Sequence, residues 1–285
     1  MFKDILVHLD DGPRAAARLA VAADLARRHG AYLTGLFVGG IPSQDLFFGT
    51  GMPMGAGGGL DRLLASLRTA NAERAEIAAR LFRERQERDG LNGEWRVADG
   101  DMAEVLALHA RYADLTVLGQ PDPENDRDGA GMEAVFTHVL MTAGRPVLAV
   151  PHSGTFERIG ERVLVAWNAS REATRAVNDA LPLLRMASKV TVLAIDPKHG
   201  IDGHGDVPAA DICLHLARHG VKAEAAHTVA KGMGDGDVLL SYAADLGADT
   251  IVCGGYGHSR IREMVFGGVT RALLEEMTVP VFISH

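Results

Sequence analysis

The 285-residue chain has only two cysteines, Cys213 and Cys253, and they stand in no C-x2-C or repeated spacing. A disulfide framework and a zinc ribbon are therefore unsupported, and a reducing compartment is expected. Positive charge is in deficit: 29 Lys and Arg face 37 Asp and Glu, for a formal net charge of -8 and a pI near 5.8. Duplex binding needs a concentrated basic patch, so no nucleic-acid partner is expected. No apolar run approaches the roughly 20 residues of a membrane span. The opening MFKDILVHLD also places acidic residues where a secretion signal needs an unbroken apolar region. The expectation is a cytoplasmic protein without membrane contact. Also missing are the G-x4-G-K-[ST] run of a P-loop and the G-x-S-x-G elbow that seats a serine nucleophile. Gly232 to Gly236 supplies only G-x-G-x-G, short of the dinucleotide fingerprint.

What is present is a large apolar content, 47%, enough for two cores of ordinary size. The chain also repeats itself. KDILVHLD at 3–10 reappears as RVLVAWN at 162–168, ADLTVLG at 113–119 as ADTIVCG at 248–254, and RPVLAV at 145–150 as VPVFIS at 279–284. Three matches in one order mean two copies of one domain. The turn-rich stretch Pro151-His152-Ser153-Gly154-Thr155 reads as the linker, giving expected domains 1–153 and 154–285.

Within each copy strands and helices alternate. The second copy predicts strands at 162–167, 189–195, 222–229, 249–253 and 280–284, with helices at 170–187, 207–219, 236–246 and 267–277. The strands VLVAW, VTVLAI, TIVC and VPVFIS are continuous apolar runs, as expected when helices cover both faces of a parallel sheet. Sites in such open α/β sheets lie beyond the strand C-termini at the switch point. The first copy carries a glycine-rich insertion, 39–59, with Phe47, Phe48, Met52 and Met54. It reads as an exposed flap in preference to a lid or partner loop. The mixed-sign helix after it, 61–89, reads as a solvated face.

The most informative motif lies near the C-terminus. Cys253-Gly254-Gly255-Tyr256-Gly257 closes an apolar strand, and nine residues later Gly267-Gly268 opens a helix, giving G-x2-G-x9-G-G. Glycines there let backbone N–H groups turn toward an anion, and the helix start adds unpaired donors and a positive dipole end. The pattern points to phosphate. His258, Arg260 and Arg262 lie between the glycines, where charge and bidentate geometry suit phosphate and where any exposed loop also carries such residues.

A repeat of this kind, with a strand ending in Asp, the V-x-G-x2-G-x9-G spacing and a closing Pro-Val strand, resembles the universal stress protein family in its tandem two-domain form. The resemblance covers essentially the whole chain. It implies two Rossmann-like domains of the adenine nucleotide alpha hydrolase-like kind, each an open five-stranded parallel sheet flanked by helices. It further implies ATP, ADP or AMP as ligand where the motif is kept, often with Mg on the phosphates, and a role in stress survival. Carried over residue by residue, the nucleotide-binding set is Asn168, Ile195, Cys253, Gly254, Gly257, Gly267, Gly268 and Val269. Asn168 stands where the family has a strand-end Asp, and Gly268 where it usually has Ser or Thr. A lost hydrogen bond to a charged group is worth roughly 1.5 to 3 kcal/mol, so affinity is expected to fall without the site vanishing.

The first copy keeps Asp10 and Gly119 but has Asp122 at the second glycine and Glu133-Ala134 in place of Gly267-Gly268. Carboxylates there repel phosphate, so this copy is read as degenerate. His199, Asp202, His204, Asp206, Asp211, His215 and His219 form the best metal candidate, with His215 and His219 at i,i+4. Surface histidines are the favoured reading. No catalytic residue is assigned, and with no positioned general base any ATP hydrolysis is expected to be slow. The favoured function is a nucleotide-responsive regulator with an open place for a protein partner. The alternative is a tandem scaffold that has lost nucleotide. By analogy with single-domain relatives, 145–150 and 280–284 are expected to pair within the chain as a pseudo-dimer, with a homodimer as a further option.

Overall fold

The computed structural model describes residues 1–40, 57–121, 131–197, 207–256 and 268–285. Most of the insertion at 39–59 therefore lies outside the described residues, as do Asp122, Gly257, His258, Arg260, Arg262, Gly267 and the histidines and aspartates of 199–206. The chain divides into two compact units, Lys3–Ala143 and Gly144–His285, the second including Met1–Phe2.

The first unit runs β1 (Asp4–His8), α1 (Ala15–His29), β2 (Tyr32–Gly39), α2 (Gly57–Asp89), β3 (Gly93–Asp99), α3 (Met102–Ala110), β4 (Leu115–Gly119) and α4 (Met132–Thr142). Its strands lie in the order β3-β2-β1-β4, every neighbouring pair parallel. The second unit runs β5 (Val147–Val150), β6 (Arg162–Ala166), α5 (Arg171–Leu184), β7 (Lys189–Ile195), α6 (Ala210–Arg218), β8 (Ala223–Thr228), α7 (Asp235–Leu246), β9 (Thr250–Gly254), α8 (Gly268–Glu276) and β10 (Val281–Ser284). Here the order is β5-β10-β9-β6-β7-β8, parallel except for β5, which is antiparallel to β10. This is an α/β fold with an open, mostly parallel sheet flanked by helices.

The continuous apolar runs account for the layering. Val163 to Val165, Thr250 to Cys253 and all of β10 are buried, which requires cover on both faces. The edge strand β8, AEAAHT, has no fully buried position, as an edge protected by polar side chains should. Every element expected in the second copy is present. The largest displacements are of three residues, at the start of α6, expected at 207 and found at Ala210, and at the end of α5, expected at 187 and found at Leu184. There the Met186 and Ala187 N–H groups tighten onto the Leu183 and Leu184 carbonyls, and Ser188 and Lys189 then donate to the Glu161 carbonyl. The expected pairing of 145–150 with 280–284 is also there: Val281 faces Ala149, Phe282 faces Leu148 and Ile283 faces Val147.

One carboxylate in each unit fixes the switch point. Asp114 Oδ2 accepts the N–H of Lys3 at 2.7 Å and of Asp4 at 3.3 Å, at the start of β1. Its counterpart Asp249 accepts the N–H of Gly160 at 2.6 Å, Glu161 at 3.0 Å and Arg162 at 2.9 Å, at the start of β6. These clamps set the register in which β1 meets β4 and β6 meets β9, and so position whatever lies beyond those strands' far ends. Among the described residues no helix is long and apolar enough to cross a membrane.

Candidate functional site

Beyond the C-termini of β6, β7 and β9, at the switch point of the second unit, lies a cleft of about 180 Å³. Its walls come from three strand ends, Ala166 to Asn168, Leu193 with Ile195, and Cys253 with Gly254. Three helix starts complete it: Ser170, Glu172 and Ala173 of the α5 entry, Asp235 of α7, and Gly268 to Thr270 of α8. Each helix start presents unpaired N–H donors and the positive end of its dipole. The backbone turns sharply just past all three strands. Ala169, Asp196 and Tyr256 have φ of 57°, 43° and 58°, a left-handed conformation that is costly for residues with a side chain and concentrates at functional sites.

Six of the eight residues assigned from the sequence line this cleft: Asn168, Ile195, Cys253, Gly254, Gly268 and Val269. The other two, Gly257 and Gly267, lie outside the described residues. Asn168 Oδ1 accepts the Ser170 N–H at 3.1 Å, which commits its oxygen to the turn and leaves its NH2 as the group able to meet a ligand. Ser170 caps α5, its Oγ accepting from Ala173 N at 3.1 Å. Gly254 is required by packing: a Cβ there would stand 2.5 Å from both Ala173 N and Glu172 C, so only glycine lets the α5 backbone lie on the end of β9. Gly268 is different, because nothing lies within 4 Å of a Cβ built on it, so the absent hydroxyl is not excluded by space. Burial pushes the Cys253 thiol up to about 12, so it stays protonated, is no nucleophile, and serves as apolar wall.

Residues that the sequence reading did not assign complete the walls. Trp167 offers a ring, Ser170 and Thr270 hydroxyls, and Glu172 and Asp235 carboxylates. Ser170 and Glu172 carry a sequence signal as an N-cap followed by a first-turn acid, though that signal speaks of helix α5 and not of a cleft.

The equivalent place in the first unit is filled from within. Arg18 of α1 is 6% exposed, its Nη2 lies 2.7 Å from Asp10 Oδ1, and its Nε donates to the His8 carbonyl at 3.2 Å. Its guanidinium also lies against Gly119, 3.0 Å from the position of a Cβ there. One side chain thus spans the ends of β1 and β4. Burial works to raise the Asp10 carboxyl, but Arg18, His8 and the Gly12 N–H outweigh it and hold the group below its ordinary value of 3.8. The residue equivalent to Arg18 in the second unit, eight positions past Asn168, is the buried Ala176. Glu133 stands in the first turn of α4, adding negative charge to the same half.

The His215 and His219 rings lie 4.6 Å apart at 50°, and His219 Nδ1 is 3.4 Å from Arg185 Nη2. Among the described residues no three His, Cys, Asp or Glu come together as a metal-ligand set.

Comparison with known proteins gives the same fold. No curated protein matches the chain. Among solved structures, a universal stress protein from Archaeoglobus fulgidus DSM 4304 superposes with a TM-score of 0.71 at 16% identity, over 99% of this chain and 96% of that one. A functionally unknown protein from Pseudomonas aeruginosa PAO1 has a TM-score of 0.53 at 15% identity, over 99% and 92% of the two chains. At such identities the likeness is one of fold. Residues 160–285 match the model of the universal stress protein family, and the likeness to the solved universal stress protein extends the shared fold over the rest of the chain.

Proposed function

We propose that this chain is a universal stress protein acting as an adenine-nucleotide-binding regulator of a stress response, with its nucleotide site in the cleft of the second unit. One observation carries the reading: six residues carried over from the family resemblance, at or just past the ends of β6, β7 and β9 and at the start of α8, meet in one cleft at the switch point. The Asn168 amide and the Ile195 backbone suit a base, Trp167 offers it a stacking face, and the α8 start at Gly268 suits a phosphate. Bound nucleotide alters the surface that the rim of the cleft offers to a protein partner.

The test is calorimetric titration of the full chain with ATP, ADP and AMP, with and without magnesium, after a check for nucleotide carried through purification. One site per chain is expected. A second readout comes from the tryptophans, since the chain has two, Trp167 in the cleft and Trp95 in β3. In a Trp95→Phe variant, nucleotide should change the emission of Trp167 with the calorimetric midpoint. No heat, no co-purified nucleotide and no change in emission would favour the second reading, a scaffold that has lost nucleotide. That reading draws on the missing hydroxyl at Gly268 and on the Arg18 side chain filling the first unit's cleft.

A further inference from the structure

We infer that the second unit's cleft reads its base with a hydrogen-bond donor, the Asn168 amide, and so takes nucleotides of the 6-oxopurines, hypoxanthine and guanine, beside those of adenine and more tightly. The inference rests on the nucleotide reading above and extends its ligand class from adenine to the 6-oxopurines.

The orientation of the amide is fixed by its own turn. Asn168 Oδ1 accepts the Ser170 N–H at 3.1 Å, and a flipped amide would set donor against donor there. The NH2 is left over, on a side chain that lines the cleft, and among the described residues it makes no hydrogen bond.

The first unit makes the same turn with the opposite polarity. Asp10 Oδ1 accepts the Gly12 N–H at 2.9 Å, again two residues on, and what meets that carboxylate is a donor, the Arg18 guanidinium. In the second unit the buried Ala176 stands in place of Arg18, and an amide in place of the carboxylate. The group that fills the vacated space meets a donor, and its own complement is an acceptor.

Ile195 does not choose between purines. It faces Thr228 in the parallel register, where the Asp196 N–H donates to the Thr228 carbonyl at 2.9 Å. The Ile195 N–H and C=O therefore turn to the other side of β7, toward β6, whose Trp167 N–H donates to the Leu193 carbonyl. Continuing the register of Ala166 with Leu193 by two residues sets Asn168 level with Ile195, so both address one edge of a base. Adenine brings an acceptor at N1 and a donor at its 6-amino group, hypoxanthine a donor at N1 and an acceptor at O6, and either satisfies a backbone N–H and C=O. Asn168 breaks the tie. Against its NH2 an O6 makes a hydrogen bond, where a 6-amino group sets donor against donor.

The experiment is calorimetric titration of the full chain with three matched pairs, adenosine and inosine, AMP and IMP, ATP and ITP, for wild type, Asn168→Asp and Asn168→Ser. The members of a pair differ only at positions 1 and 6 of the purine, so the phosphate end cancels in their ratio. Wild type should bind the inosine member about three- to ten-fold more tightly. Asn168→Asp keeps an acceptor for the Ser170 N–H, as Asp10 does for Gly12, and turns the donor into an acceptor, so the ratio should invert. Asn168→Ser keeps a turn acceptor without the NH2 and should bring the ratio near one, and it decides the matter if Asn168→Asp proves unfolded by circular dichroism. A wild-type ratio of one or in favour of adenine overturns the inference, as does a ratio that both variants leave unchanged, the mark of a merely structural role. In these cases the nucleotide reading stands. No heat with any of the six ligands overturns that reading and this inference with it.

Discussion

The Arg18 guanidinium lies 2.7 Å from the Asp10 carboxylate, across the C-terminal ends of the first unit's central strands. This ion pair occupies the place that, in the second unit, is left open by Ala176. The two units therefore share a switch point and differ in what fills it. Arg74 of α2 adds to the closure, its Nε lying 2.8 Å from Asp11 Oδ1.

Arg18→Ala should destabilise the chain by about 2 to 3 kcal/mol in urea denaturation. Removing one member of a buried pair usually costs roughly 3 to 5 kcal/mol, and the 30% exposure of the Asp10 side chain lowers the expectation. The double variant Arg18→Met with Asp10→Asn removes both charges and should recover most of the loss. A double variant no more stable than Arg18→Ala alone would mean that the guanidinium contributes through its contacts with His8 and Gly119 and not through charge.

His29, the last residue of α1, has no exposed surface, and burial followed by the charge of Arg28 lowers its imidazole from 6.5 to about 4. The unfolded chain therefore takes up a proton below about 6.5 that the folded chain refuses until about 4. Stability is full above that window and falls as pH drops through it, by about 2 kcal/mol after allowance for screening. His29→Gln should flatten the stability profile between pH 6.5 and 4. An unchanged slope in the variant would place the titrating group elsewhere.

The repeat, the alternating elements and the glycine-marked strand end were legible because each is a local pattern. VLVAW and TIVC can only be strands covered on both faces, and Gly254 ends one of them. Arg18 was not legible. A single arginine between Ala15 and Ala22 reads as part of a solvated face, and its inward turn depends on Asp10 and on Gly119, a hundred residues away. The available signal was the alignment of the copies, which sets Arg18 opposite Ala176. Glu172 was hidden differently. A first-turn acid is ordinary dipole compensation, and only the packing of α5 onto Gly254 shows that it also faces a cleft.

Gly254→Ala should cost about 2 kcal/mol, within the range for overpacking. The new Cβ meets two backbone atoms at 2.5 Å, and backbone cannot swing aside as a flexible side chain can. Strand β9 and helix α5 must separate, which also displaces Glu172 and Ala173 from the cleft. Denaturation of this variant beside Gly268→Ala, where no atom lies within 4 Å, is the check. Equal stability of the two would show that the junction of β9 and α5 is softer than its spacing implies.

Gly268→Ser restores the hydroxyl that the family usually has at the start of this helix, at a position with open space around it. If phosphate is held there, the added donor should strengthen binding of Mg-ATP and AMP about ten-fold, since a hydrogen bond to a charged group contributes roughly 1.5 to 3 kcal/mol. Adenosine, which has no phosphate, should bind unchanged. Gly268→Ala is the necessary control, because either substitution favours helix α8 over glycine by up to about 1 kcal/mol and so stabilises the site without a new donor. The decisive quantity is therefore the ratio of Ser to Ala affinities, read for AMP against adenosine by calorimetry. A ratio near one for both ligands would remove phosphate from the α8 start, and with it the part of the nucleotide reading that depends on Gly268.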